Sequence, residues 1–176
     1  MVGGSLKMIH QSVGDYSSYG IGLDIGMLRP NLLLSNLDFG LKLQDVTSTP
    51  LSWNTDDGTI ETIAPTVVPA LAYHVDMPQW DAHLIVATSV ETRFENRGEA
   101  DQYSSGSMSA NVHTGAELGM ANRVFLRGGF DSDWGMDGIT AGIGFRLPRL
   151  FVDYAYAGDT LGIDEMTHRI SLSARF

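Results

Sequence analysis

Apolar and polar residues alternate one for one along this chain, segment after segment, and a period of two restricts such segments to β-strands. In the last one, Ile170, Leu172, Ala174 and Phe176 fall on one face and Arg169, Ser171 and Ser173 on the other. Successive side chains of a strand point to opposite faces, so one face is apolar and the other polar. The same division holds at 18–28, with Ile21, Leu23, Ile25 and Met27 opposite Gly20, Gly22, Asp24 and Gly26. It holds at 36–46, where Leu37, Phe39, Leu41 and Leu43 lie opposite Asp38, Lys42 and Gln44. Residues 108–119 set Val112, Ala116 and Leu118 against His113, Gly115 and Glu117, and 123–131 set Val124, Leu126 and Phe130 against Arg127 and Gly129. Residues 138–147 and 149–157 place Thr140, Gly142, Gly144, Arg146 and Asp153 on the polar side. Weaker strands at 2–12, 62–75 and 81–94 bring the expected count to ten. Pro65 and Pro69 weaken the 62–75 segment, because proline cannot donate to a ladder.

Strands of this length suit a tilted membrane crossing, which takes about 9–11 residues. Alternation alone also fits a soluble sandwich, so further features are needed. Connections of alternating length are one: 13–17, 47–61, 95–107, 132–137 and 158–165 read as long, and 29–35, 76–80, 120–122 and 148–149 as short. Long loops at one end and tight turns at the other are the habit of outer-membrane barrels. Acidic residues gather in the long set, among them Asp15, Asp56, Asp57, Glu95, Glu99, Asp101, Asp133 and Asp137, with only Arg97 to offset them. Trp53, Trp80, Phe94, Trp134, Tyr156 and Phe176 stand near strand ends, where interfacial aromatic girdles form. The expectation is an all-β, antiparallel up-and-down transmembrane barrel of about ten strands in the bacterial outer membrane.

Composition closes off other classes. Charged residues make up 18% of the chain, and the net charge of −10 argues against a nucleic-acid partner. There is no cysteine, hence no disulfide and no thiolate metal site. No run of eighteen apolar residues could form a membrane-spanning helix. Met1 to Lys7 lacks the basic head and apolar stretch of a signal peptide. Residues 1–176 therefore read as a single domain, part of a longer barrel and incomplete at its N-terminus.

Gly3-Gly4-Ser5-Leu6-Lys7-Met8-Ile9, Gly20-Ile21-Gly22-Leu23-Asp24-Ile25-Gly26, Gly115-Ala116-Glu117, Leu126-Arg127-Gly128-Gly129-Phe130 and Gly142-Ile143-Gly144-Phe145-Arg146 follow one another along the chain. Asp153-Tyr154-Ala155-Tyr156 and the run from Thr167 to Phe176 complete the series. Together they resemble the PorV-type outer-membrane protein family, related in architecture to FadL-like fatty-acid transporters. The resemblance implies the last ten strands of a barrel commonly read as fourteen-stranded. It implies a terminal Phe176 read by the barrel-insertion machinery, and outer-membrane lipid around the wall. It also implies one of two roles: handing cargo to secretion-system proteins in type IX secretion and cell-surface attachment, or passing hydrophobic molecules or small solutes across the membrane.

The polar side supplies the candidate lumen-lining residues: Asp24, Asp38, Lys42, His113, Glu117, Arg127, Arg146, Asp153 and Arg169. Glu117 and Arg127 are expected to meet across the turn at 120–122, and Arg146 and Asp153 across the turn at 148–149. Such pairs hold a wall in shape or select solutes. The glycines of the polar face read as sites of wall curvature. Gly20-x-Gly22-x-x-x-Gly26 has the wrong spacing for a dinucleotide loop and lies within a strand. Asp131-Ser132-Asp133-Trp134-Gly135-Met136-Asp137 resembles a calcium loop, but it lacks the third acidic position and the closing Glu. No histidine pair has metalloprotease spacing, and no Gly-x-Ser-x-Gly elbow is present. No enzyme, cofactor or metal site is expected. A soluble barrel with an apolar ligand inside would need the opposite orientation, with its apolar face inward.

Overall fold

The computed structural model describes residues 1–95, 97–98, 101–131, 138–158 and 167–174. It contains thirteen strands: β1 (Val2–Val13), β2 (Tyr16–Arg29), β3 (Leu37–Gln44), β4 (Thr49–Trp53), β5 (Ile60–Ile63), β6 (Thr66–Met77), β7 (Ala82–Arg93), β8 (Tyr103–Ser105), β9 (Met108–Met120), β10 (Val124–Asp131), β11 (Gly138–Arg146), β12 (Leu150–Ala157) and β13 (Thr167–Ala174). All belong to one antiparallel sheet. β3 and β4 both pair with β2, at Ile25–Arg29 and at Ser18–Gly20, so they form one run broken at 45–48. β5 and β6 likewise pair with β4 and β3 and form one run broken at 64–65. Counted this way the sheet is a meander of ten long runs, each beside its neighbour in sequence, as the alternation predicts. β8 is a short addition alongside the start of β9.

The two breaks have local causes. Pro65 offers no N–H, and the run stops there. Pro69 stays in the ladder with β3, opposite Leu41, but the β6–β7 register skips both it and Val68. At 45–48 the chain bulges, with Asp45 and Ser48 left-handed at φ 51° and 54°. Hydrogen bonds compensate: the Asp45 amide donates to Asp24 Oδ1 at 3.0 Å, the Ser48 amide to the Asp45 carbonyl at 2.7 Å, and the Thr49 hydroxyl to the Asp45 carboxylate. Asp and Ser tolerate this backbone because their short polar side chains bond locally.

Two expectations are corrected here. The connection at 13–17 is a tight turn, because pairing runs through Val13 and Tyr16 and leaves only Gly14 and Asp15, with Gly14 at φ 58°. Pairing also extends through β4 and β5, trimming 47–61 to 54–59, whereas the connection at 30–36 is no shorter than that one. The contrast in loop length is weaker than the sequence suggests, since strand pairing continues into segments whose Thr, Ser and Pro content resembles a loop. β1 pairs only with β2, and β13 only with β12, among the described residues. The sheet thus has two free edges and is not closed.

Register puts every polar-face candidate on one side. Cross-strand partners share a face, and the chain of pairs Glu117–Arg127–Gly142–Ala155–Arg169 runs across five strands on the polar side. Leu118–Leu126–Ile143–Tyr154–Ile170 runs beside it on the apolar side. The apolar side is not covered: Leu6 is 74% exposed, Ile139 68% and Ile170 78%. The only buried hydrophobic residues among those described are Leu51 and Phe125, and both lie on the polar side, opposite Gly20 and Gly119. Accessible surface is 11807 Å² for 19.1 kDa. A compact water-soluble chain of that mass exposes roughly 8,400 Å². The described residues form a single layer without a conventional core.

Leu51 packs where Gly20 has no side chain. A Cβ on Gly20 would lie 2.5 Å from Leu51 Cδ2 and 2.7 Å from the Pro50 carbonyl oxygen, whereas one on Gly3 meets nothing within 4 Å. Gly20→Ala is expected to cost about 1–3 kcal/mol by overpacking, and Gly3→Ala to change stability little. Denaturant unfolding in detergent, followed by tryptophan fluorescence, measures both; equal midpoints would show that Leu51 is not packed against β2.

Candidate functional site

The polar face curves around a hollow of about 1160 Å³, walled by residues from β6 to β13. Small residues make most of the wall: Ala70, Ala87, Gly115, Gly129, Gly142 and Ala155. Charge enters through Glu117, Arg127, Asp153 and Arg169. The large apolar side chains lie exposed on the opposite face, the reverse of what an apolar-ligand barrel requires.

Arg127 organises the centre. Its Nε donates to Glu117 Oε2 at 2.5 Å, and its Nη1 donates to the carboxylate of Asp153. Glu117 is its register partner on β9, as the sequence leads one to expect. Asp153 is two strands away on β12, beyond β11. The guanidinium can cross β11 because Gly142 and Gly144 present no side chain there. A Cβ on Gly144 would stand 2.7 Å from Asp153 Oδ1 and 3.4 Å from Arg127 Nη1. These glycines make room for an ion pair, a specific task that the reading as wall curvature misses.

Arg146 does not pair with Asp153. Register sets Arg146 opposite Phe151, and Asp153 opposite Gly144. Arg146 instead donates to Asn122 Oδ1, and its guanidinium lies 4.7 Å from the centre of the Phe125 ring and 5.3 Å from that of Phe151. Phe125 and Phe151 meet edge to face at 5.7 Å. The cation covers a small aromatic cluster where β11 turns into β12, a favourable arrangement for a guanidinium over ring faces.

Three further polar groups stand on the same face. Lys7 donates to Asp24 Oδ1 and to Asp45 Oδ2, both at 2.9 Å, and so ties β1 to β2 and to the bulge after β3. Asp38 contacts His74, which faces His83, which contacts Asp76. At the edge where β7 ends and β9 begins, Asp101 is buried. It accepts from Asn111 Nδ2 at 2.8 Å and lies 3.4 Å from the guanidinium groups of both Arg93 and Arg97. This acidic residue is therefore a buried anchor rather than part of a solvated loop. Gln102 continues the attachment where β10 stops, its side-chain oxygen accepting from the Val112 amide at 2.7 Å.

Of the remaining candidates, Lys42 lies between Gly26 and Val68, and His113 approaches Glu91 at 4.0 Å. Arg169 is opposite Ala155 on the hollow's wall. Phe176 and the stretch 132–137 of the calcium-like segment lie outside the described residues. Sequence reasoning missed Lys7, Asp45, His74, Asp76 and His83. Extending the alternation into β1 would have put Lys7 on the polar face, but no sequence pattern signals the bulge that brings Asp45 to it. Compared with family models, with curated proteins and with solved structures, the chain matches none. The reading of function therefore rests on this geometry and on the resemblance.

Proposed function

We propose that the chain is the wall of an outer-membrane β-barrel, with its apolar face against lipid and its polar face lining a path for small solutes. The observation that carries this is the inversion of burial: large apolar side chains are exposed on one face, and the charged network lies in the hollow of the other. Water does not favour such a layer, whereas a bilayer takes up an apolar band and leaves the lumen polar. In a barrel, β1 and β13 would each find a partner, either each other or further strands. The PorV-type role in protein secretion is a second reading. It is favoured by exposed Asp15, Asp56, Asp57 and Glu95, which follow the ends of β1, β4 and β7 at one edge of the sheet and offer a protein partner a charged rim.

Refolding into detergent micelles tests the membrane reading, and planar-bilayer conductance the path. The expected result is a protease-resistant gel band that shifts on boiling, and conductance whose ion selectivity changes in Arg127→Ser. A chain that is monodisperse in buffer without detergent would overturn the proposal. Silent bilayers with a heat-modifiable band would leave the barrel and remove the solute path, and co-isolation with a secretion component would then carry the second reading.

A further inference from the structure

The polar ends of β6 and β7 hold an arrangement that neither the wall nor the hollow requires. His74 and His83 sit diagonally across the β6–β7 ladder, since His74 pairs with Ile85 and His83 with Asp76. Their rings are 5.5 Å apart, with His74 Nδ1 3.4 Å from His83 Nε2. The far nitrogen of each ring touches a carboxylate: His74 Nε2 is 3.2 Å from Asp38 Oδ2, and His83 Nδ1 is 2.6 Å from Asp76 Oδ1. Asp38 is itself oriented by the Asn31 amide, which donates to its Oδ1 at 3.1 Å.

Chemistry follows from the tautomers. A carboxylate accepts, so each ring directs its N–H outward, to Asp38 or to Asp76. In the neutral rings the two facing nitrogens are then both lone pairs, pointed at one another. Two lone pairs at that distance repel unless a proton or a metal ion lies between them. Imidazole nitrogens bind zinc at about 2.0–2.1 Å, and two of them at a tetrahedral angle stand about 3.4 Å apart, which matches the observed gap. Carboxylates on the remote nitrogens are the usual supports of metal-bound histidines, where they fix the ring and raise its basicity.

We propose that His74 and His83 form a two-histidine site for a divalent first-row transition ion of the copper and zinc class. Imidazole suits these ions, and copper binds most tightly of the series. No third His, Asp or Glu converges on the point among the described residues. The ion therefore keeps open positions for water or a small ligand. Sequence spacing concealed the site because His74 and His83 are nine residues apart and meet only through strand register. The inference does not depend on the membrane reading, since the pair belongs to one hairpin with Asp38 beside it.

Titrating Cu²⁺ into the full chain in detergent micelles, with electron paramagnetic resonance as the readout, tests the proposal. The expected result is one strongly bound Cu²⁺ per chain with nitrogen couplings from two imidazoles. His74→Gln and His83→Gln are each expected to weaken binding tenfold or more, and Asp76→Asn by roughly tenfold. His113→Gln and His168→Gln are expected to leave it unchanged. A second measurement uses the unaltered protein: Zn²⁺ is expected to protect His74 and His83, and not His168, from acylation by diethylpyrocarbonate. Binding that is equally strong without His74 and His83, or Zn²⁺ that protects neither ring, would overturn the site.

Discussion

Leu126→Arg is expected to prevent the 176-residue chain from forming a heat-modifiable band in micelles or bilayers. Leu126 is at the middle of the apolar row, with Leu118 on one side and Ile143 on the other. A cationic side chain on a lipid face at the midplane costs about 2–4 kcal/mol, a large part of the 5–15 kcal/mol that separates folded from unfolded chains. Thr140→Arg places the same charge at the hollow, between Gly129 and Ala157, whose small size leaves it room, and is expected to fold. The pair of variants separates charge from position. If the apolar face were instead exposed to water, Leu126→Arg would raise solubility and leave the fold intact, the opposite sign to the one expected.

Lys7→Met is expected to cost about 2–4 kcal/mol, measured by denaturant unfolding in detergent. The ammonium is the cation bonded to both Asp24 and Asp45, and the Asp45 side chain is only 7% exposed. Removing one partner of a buried pair leaves an uncompensated charge, which costs 3–5 kcal/mol when burial is complete. The estimate here is lower, at about 2–4 kcal/mol, because Lys7 keeps some contact with solvent. Asp24 and Asp45 would stay close without it, since the Asp45 amide still donates to Asp24. The second substitution Asp45→Asn, added to Lys7→Met, is expected to restore part of the loss, and the resulting double-mutant cycle isolates the coupling. Additive losses would show that the lysine contributes packing alone.

How far the sequence could be read depended on whether a feature repeats. A period of two is unambiguous about faces, because a slip of one residue turns every side chain over. That is why Asp24, Asp38, Glu117, Arg127, Asp153 and Arg169 all lie on the predicted side. Strand order was legible for the same reason, as antiparallel neighbours in sequence need only a turn between them. Features set by a single residue or by a diagonal were not. The Asp45 bulge depends on local hydrogen bonds, and the Arg127–Asp153 contact spans a strand whose glycines leave a path for it. Arg146 was expected to meet Asp153, but the turn at 148–149 sets it opposite Phe151, so Asp153 is two residues further along its strand and opposite Gly144. Extent also escaped: Pro50 and Leu51 read as loop, yet pairing resumes at Thr49, while Asp45 read as strand and lies in the bulge.

Because each of the ten runs lies beside its neighbour in sequence, no pairing waits for distant parts of the chain to find each other. Loop-closure cost rises with the separation of the residues brought together, and sheets made of near neighbours fold faster than those with long crossovers. The meander can therefore be laid down one hairpin at a time, each new strand reading its register from the last. Growth needs only an unpaired strand to add to, and either β1 or β13 can be that growing end.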